Sequence, residues 1–387
     1  MSAYFLGILG GSRMTPELIR RVGHVRVFAA LGSFISAILI LYPAMTSPFA
    51  WIVLRVLIGF CFSGVYVTAE SWLNHAATNE TRGKSLALYM IVQTLGIISA
   101  QGILAIGEPR GFILFIVPSV LVSVAFAPIL LSVNPTPAFD STKRMKLSEL
   151  YNISPLGCVG IFLMGGVFAA QFGMAAVYGA QVGLSVEQIS LFVAMIYVGA
   201  LLFQYPLGQL SDRLDRRLLI ALVALVGGVA ALVGVIFDES FIIILAVGFM
   251  TGGMTNPLYS LLVSYTNDFL EPDDMAAASA GLLFLNGVGA VAGPLIAGWL
   301  MSIFGPRGFW LLEAVLLVMI AGYAAWRMTQ RPAMSTEDTG AWVPMSPTAG
   351  TVALEAAQEW AVEVAEAEAE AEAEAAQEAL PKAANGT

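Results

Sequence analysis

The sequence has 387 residues, of which 58% are hydrophobic and only 12% are charged, and its mean hydropathy is +0.81. A soluble protein carries about 25% charged residues, so this composition excludes an ordinary water-soluble domain and predicts that lipid surrounds most of the chain. The formal net charge of -9 gives no information about a substrate, because most of the acidic excess lies after Ala333.

Long apolar runs follow one another along the chain. A helix needs about 20 mostly apolar residues to cross a bilayer. Ten runs reach roughly that length: Val25–Tyr42, Phe49–Leu73, Ser85–Ile106, Phe112–Val133, Leu156–Tyr178, Glu187–Leu210, Leu218–Phe237, Phe241–Tyr265, Asp274–Ile303 and Gly308–Met328. A shorter run, Tyr4 to Ile19, contains Arg13, Pro16 and Glu17 and is expected to cross only in part. Such runs are too long and too continuous for barrel strands, so the sequence predicts an all-α polytopic membrane protein with eleven transmembrane helices.

The runs group into two bundles separated by a polar connection. The expected units are an N-terminal bundle of five helices at 1–133, a cytoplasmic loop at 134–155, a C-terminal bundle of six helices at 156–328 and a disordered, acidic Glu/Ala-rich cytoplasmic tail at 329–387. Lysine and arginine concentrate in the connections on one side, which the positive-inside rule assigns to the cytoplasm. The tail is expected to be a solvated appendage without a role in transport, and docking of a basic partner is the alternative.

Short repeats indicate that the two halves share one design. The motif Pro-Arg-Gly-Phe at 109–112 recurs at 306–309, and further matches recur at nearly the same spacing. Parallel repeats build one class of secondary transporters, so the repeat predicts two pseudo-symmetric bundles. The counterpart of the run at 156–178 would fall upstream of Met1. We therefore expect the first helix of the N-terminal bundle to be missing, either because the start codon is assigned too late or because the gene is truncated.

A charged stretch, Gly208 to Arg217, joins two of the long apolar runs. Its pattern G-x-L-S-D-R-x-x-R-R resembles the signature loop of the major facilitator superfamily, with Asp215 where the family usually has glycine. The stretch Glu-Ser-Trp-Leu-Asn at 70–74, followed by Arg-Gly at 82–83 and Tyr-Met at 89–90, resembles the YcaD-like bacterial branch of that superfamily. The resemblance implies the major facilitator fold and secondary transport by alternating access. The alternative is a basic loop that only sets topology.

The resemblance also implies a cytoplasmic gate made of charge pairs. In the first half we expect Glu70 to pair with Arg21 or Arg26, and in the second half we expect Asp268 to pair with Arg216 or Arg217. The complete set of gate candidates is Arg21, Arg26, Glu70, Asp212, Arg213, Arg216, Arg217 and Asp268. The alternative is that these charges are solvated and only set topology.

Three charged residues within the apolar runs, Arg55, Glu70 and Glu313, are candidates for proton coupling, because a charge inside a membrane is costly and marks a functional site. The run Arg55 to Gly59 resembles an arginine motif that is tied to proton movement in proton-coupled members of the family. The alternatives are that Arg55 extends to the outer interface and that Glu313 lies at a helix interface.

Uncharged polar residues within the apolar runs are candidates for substrate contact in a central cavity. They are Gln93, Gln101, Gln171, Tyr178, Asn256, Tyr259 and Asn286. The alternative for each is a hydrogen bond between helices, which amide groups commonly make in membranes.

No motif of an enzyme is present in the sequence, and no phosphate-binding lysine motif indicates direct use of ATP. Cys61 and Cys158 lie in apolar runs and are predicted to be core residues. We therefore predict a monomeric secondary transporter of a small organic solute in the bacterial inner membrane, with protons as the candidate coupling ion and efflux favoured over uptake. No cofactor, metal or nucleic acid is expected. A non-transporting receptor or scaffold that keeps the fold is the alternative.

Overall fold

The computed structural model describes residues 1–76, 79–107, 111–131, 145–237, 240–270 and 272–330, together with residue 342. Over these residues the regular structure is helical, without strands. The helices are α1 (Ser2–Val22), α2 (His24–Ala44), α3 (Pro48–Ala76), α4 (Asn79–Ile106), α5 (Ile113–Leu131), α6 (Leu147–Ile153), α7 (Pro155–Gln181), α8 (Val186–Ser211), α9 (Arg216–Ile236), α10 (Phe241–Asn267), α11 (Pro272–Phe304) and α12 (Gly308–Met328). The short helix α6 lies in the predicted central loop, whereas the first part of that loop and nearly all of the predicted tail lie outside the described residues.

Apart from α6, the helices correspond one to one with the predicted crossings, which confirms the all-α membrane architecture. Eight stretches of the described residues are long and apolar enough to span a membrane, and the last of them, Ala277–Met328, contains most of α11 and all of α12. A shorter apolar stretch, Ile113–Pro128, lies in α5. The first helix is longer than the predicted run Tyr4 to Ile19, because α1 continues for 21 residues and includes Arg13 and Pro16.

The reason α1 forms a full helix is its one-sided pattern. Its buried residues recur every two to four positions (Phe5, Gly7, Gly11, Thr15 and Ile19), and this stripe packs against α3. A stripe with that spacing lies on one face of a helix, so the charged residues occupy the other face. A hydropathy average over the whole run does not detect such a helix.

The helices pack in two groups that repeat each other. In the first group α1 packs on α3, and α2 packs on α5, while in the second group α8 packs on α10, and α9 packs on α12. The two groups meet through α1 against α11 and through α4 against α8. In the repeat, α1 is the counterpart of α8, and α4 is the counterpart of α11. The contact of α1 with α11 is therefore equivalent to the contact of α8 with α4. The interface therefore has the pseudo-twofold arrangement that the sequence repeat predicts.

Close helix packing depends on glycine where α7 meets α11. A Cβ atom on Gly289 would lie 1.9 Å from the carbonyl oxygen of Phe162, and one on Gly165 would lie 2.0 Å from the carbonyl oxygen of Asn286. Side chains larger than hydrogen at these positions would force the two backbones apart. Small residues at such crossings are typical of helix pairs in membranes, where van der Waals contact drives association.

Candidate functional site

The loop between α8 and α9 lies at one end of the molecule, which we call the loop end. The same end contains the start of α2 and the ends of α3 and α10. There the guanidinium Nη1 of Arg216 forms an ion pair with Oδ1 of Asp268, and both side chains are almost completely buried, at 3% and 4% exposure. Arg216 also donates from Nε to Ser211 Oγ (3.2 Å) and from Nη1 to the carbonyl oxygen of Ser264 (3.4 Å). The second half therefore has a buried ion pair that ties the loop to the end of α10.

Asp215, which replaces the usual glycine of the signature loop, begins α9. Its carboxylate accepts a hydrogen bond from the backbone N–H of Arg217 at 2.9 Å and contacts Arg217 Nη2 at 2.8 Å. Burial raises the pKa of Asp215, but the hydrogen bonds from Arg217 outweigh it and leave the pKa below its ordinary value. Arg217 is therefore bound within the loop, whereas Arg216 is the arginine that reaches Asp268. Arg213 is exposed.

The corresponding end of the first half is built differently. Glu70 is buried and accepts a hydrogen bond from the Tyr89 hydroxyl at 3.3 Å. Arg21 contacts Glu17 on its own helix at 2.6 Å, with its side chain 69% exposed, and Arg26 is also exposed. The structure thus does not bring Arg21 to Glu70, and the pairing of Glu70 with Arg21 or Arg26 stays a prediction.

His24 is a further buried residue at this end, and it lies just before the predicted run Val25–Tyr42. It begins α2, is buried, and its Nε2 lies 3.0 Å from Ser71 Oγ on α3. Its ring stacks on Trp72 with a centroid separation of 6.0 Å. A histidine between two basic residues gives no sequence signal of burial, so only the helix packing identifies it.

The predicted cavity residues occupy different environments. Gln171 is completely buried, donates to Thr251 Oγ1 at 3.0 Å and accepts from Thr255 Oγ1 at 2.9 Å, so it bridges α7 to α10. Tyr178 is buried and stacks on Phe309 of α12. Both residues thus lie between helices of the second half. The other candidates are Tyr259 and Asn286, which are buried, and Gln93, Gln101 and Asn256, which are partly exposed.

A group of tyrosines joins the two halves, and the sequence analysis did not select it. Tyr4 of α1 packs against the same group of buried residues as Phe172 of α7, and Tyr66 of α3 and Tyr197 of α8 lie in the same region. Gln93 on α4 lies next to the Tyr66 side chain. The ring of Tyr197 packs on Phe172 of α7 with a centroid separation of 4.7 Å. We call Tyr4, Tyr66, Tyr197 and Gln93 the interface cluster. Each tyrosine lies in an apolar run, where it resembles a core residue.

The other two proton-coupling candidates lie away from the loop end. Arg55 is partly buried in α3, and its guanidinium carbon lies 5.6 Å from the ring centroid of Tyr42. Glu313 is completely buried in α12, and neither carboxyl oxygen has a hydrogen-bond partner among the described residues. Burying an ionised carboxylate without a partner is very costly, so the neutral acid is the form that this site accepts. Among the described residues, no group of His, Cys, Asp and Glu is placed to hold a metal ion.

The family model of the Major Facilitator Superfamily matches residues 1–155 and 156–360 of the sequence. The chain belongs to the Major Facilitator Superfamily. Among curated proteins it is similar to YfkF of Bacillus subtilis (strain 168), described as an uncharacterized MFS-type transporter, with 23% identity over 331 residues that cover 82% of this chain and 84% of YfkF. It is also similar to YcaD of Salmonella newport (strain SL254), which has the same description, with 25% identity over 83% of this chain and 81% of YcaD.

Solved structures support the same fold. A point mutant of the nucleoside transporter NupG matches with a TM-score of 0.69 at 14% identity, over 84% of this chain and 90% of NupG. A D-xylose–proton symporter matches with a TM-score of 0.61 at 15% identity, over 84% of this chain and 85% of the symporter. These matches, with the YcaD-type relatives, confirm a superfamily transporter of the YcaD-like branch. The chain is a multi-pass membrane transporter of the bacterial inner membrane and is not an enzyme.

Proposed function

We propose that this transporter moves a small, uncharged organic solute by alternating access to a site between its two halves. The observation that carries the proposal is the interface cluster, which brings three phenol groups and an amide from both halves together. Phenol and amide groups donate and accept hydrogen bonds, and aromatic faces pack on flat or ring-shaped solutes. Two solved neighbours are named as a nucleoside transporter and a D-xylose–proton symporter, and nucleosides and D-xylose are solutes of this class.

In the proposed cycle, the two halves rock about the interface cluster and expose it to one side of the membrane at a time. The helix pairs α1–α11 and α4–α8 form the moving interface, since they make most of the contacts between the halves. The Arg216–Asp268 pair fixes the loop end of the second half and is the gate element for which the geometry offers most support. Its release would free the α8–α9 loop to follow the movement.

Purified protein in proteoliposomes tests this proposal with a panel of uncharged sugars and nucleosides, measured first by binding and then by counterflow. For a solute that binds, Tyr66→Phe and Tyr197→Phe should weaken binding by about threefold to tenfold, the loss expected for one hydrogen bond. Tyr205→Phe is the matched control, because Tyr205 lies on α8 with 68% of its surface exposed. Binding without counterflow would favour the non-transporting receptor, and equal binding by all three variants would reject the interface cluster as the site.

We further propose that Glu313 is the proton-carrying group among the three candidates. A completely buried carboxyl group without a hydrogen-bond partner in the described residues favours its protonated form, so a change in its surroundings during the cycle would release the proton. Glu313→Gln should therefore keep counterflow and lose its response to a pH gradient. The control is Glu17→Gln at an exposed position. A pH-gradient response that survives in Glu313→Gln would transfer the role to Arg55 or Glu70.

A further inference from the structure

Trp342 follows α12 in the sequence and lies at the loop end. Its backbone N–H donates a hydrogen bond to Oδ1 of Asp212 at 3.1 Å. Its side chain is partly buried and packs against the hydrophobic core of the second half. Asp212 directly follows the last residue of α8 and belongs to the α8–α9 loop. Trp342 therefore contacts the loop that carries the gate pair.

The indole of Trp342 occupies a space that exists because residue 208 is glycine. A Cβ atom on Gly208 would lie 2.4 Å from Cε3, 2.5 Å from Cζ3 and 2.9 Å from Cδ2 of Trp342. Contacts under 3.0 Å are not tolerated, so any side chain at this position would displace the ring. Gly208 lies inside α8 and does not have a positive φ, so the helix does not itself require glycine there. Gly208 and Asp212, one helical turn apart, therefore form a socket for the indole and for the N–H group beside it.

The socket is one contact away from the buried gate pair. Oδ1 of Asp212, which accepts from Trp342, lies 3.7 Å from Nη2 of Arg216, and Arg216 holds Asp268 through Nη1. The carboxylate of Asp212 thus contacts the tail on one side and the gate arginine on the other. A movement of the α8–α9 loop that separates Arg216 from Asp268 would also alter the position of Asp212.

We propose that Trp342 is an intramolecular clamp, which docks into the Gly208–Asp212 socket and holds the α8–α9 loop where Arg216 pairs with Asp268. The clamp gives the tail a regulatory role, in contrast to the expectation from its composition. Removal of Trp342 should loosen the loop end without changing the interface cluster. The consequence for the gate rests on the proposed function, whereas the docking of Trp342 does not.

Docking is tested by amide hydrogen exchange of the full chain in nanodiscs, measured by mass spectrometry on peptides that contain Trp342. Gly208→Leu and Asp212→Ala should each speed exchange at the Trp342 amide by about tenfold, since each removes a contact that protects it. The matched controls are Gly298→Leu, at a glycine with open space around it, and Glu149→Ala, at an exposed acid of α6. Equal exchange in the variants and their controls would reject the socket. Protection that disappears on dilution would assign the socket to a second copy and reject the intramolecular clamp.

The effect on the gate is tested without a substrate. Ser264 is buried below the loop, so a cysteine at this position, in a chain with Cys61 and Cys158 replaced by alanine, reports opening of the loop end by its rate of reaction with a maleimide. Trp342→Ala should raise this rate severalfold. Trp299→Ala, at an exposed tryptophan of α11, is the control. Trp342→Ala could speed exchange at the amide of residue 342 and still leave the maleimide reaction at the rate of Trp299→Ala. That result would mean that Trp342 docks but does not clamp the gate. Because neither measurement involves transport, failure of the clamp is distinct from failure of the proposed transport.

Discussion

Removing the negative charge of Asp268 should destabilise the second half strongly. Asp268→Asn keeps the size of the side chain but leaves the Arg216 guanidinium, with 3% of its surface exposed, without its buried counter-charge. Breaking a buried pair from one side costs roughly 3–5 kcal/mol. We expect the lower end, about 3 kcal/mol, because Arg216 retains its hydrogen bonds to Ser211 and Ser264 and its proximity to Asp212.

Thermal unfolding in detergent measures this loss. Cys61 and Cys158 are both buried and free, so a thiol-reactive dye reports the exposure of the core. A loss of about 3 kcal/mol corresponds to a lower midpoint by roughly 6–12 °C, on the scale of a domain of 150–250 residues. Replacing both partners by apolar residues, Arg216→Met with Asp268→Leu, should recover most of the stability, because no buried charge is then left alone.

The control for this experiment is Glu17→Gln. Glu17 forms ion pairs with Arg20 and Arg21 that are exposed to solvent, so its neutralisation should change the midpoint little. Equal midpoints for Asp268→Asn and Glu17→Gln would refute the reasoning that burial makes the Arg216 pair important. The reasoning would also be refuted if Arg216→Met with Asp268→Leu lost as much stability as the two single substitutions together.

Two further substitutions test the helix packing and the start of α8. Gly289→Ala should lower the free energy of unfolding by roughly 1–3 kcal/mol, because the new methyl group would overlap the Phe162 carbonyl. Gly298→Ala should leave it unchanged, because open space surrounds that position. Thermal unfolding of the two variants measures the difference. Ser185→Ala removes the capping hydrogen bond to the Gln188 N–H at 3.3 Å and should cost about 1 kcal/mol, seen as faster amide exchange in the first turn of α8 and nowhere else.

The sequence was sufficient to predict the helices and their grouping, because an apolar run long enough to cross a bilayer has few other structures available to it. It underestimated the length of α1, where hydropathy averages an apolar face with a charged one. The periodic spacing of Phe5, Gly11, Thr15 and Ile19 contained the missing information. Helix packing at the glycine-rich part of α11 also followed from the residue types, since small residues permit close approach of backbones.

Much less of the site could be predicted. The pairing of Arg216 with Asp268 was among the expected gate contacts, but the sequence did not distinguish Arg216 from Arg217, because both follow the same loop. Asp215 decides between them by holding Arg217 at the start of α9. The docking of Trp342 was not predictable, because a single aromatic residue in a polar segment has no periodic pattern. The interface cluster was not predicted either, because tyrosines within apolar runs resemble ordinary core residues.

The described residues of the loop end include both a buried ion pair and exposed ion pairs, and this difference has a measurable consequence. In the second half the Arg216–Asp268 pair is buried, whereas in the first half the arginines at the end of α1 pair with Glu17 in solvent. Salt screens exposed ion pairs and leaves buried ones nearly unaffected. Raising the ionic strength should therefore increase amide exchange at the end of α1 and leave the start of α9 protected. Equal responses at both positions would mean that solvent reaches the Arg216 pair, contrary to its burial in the structure.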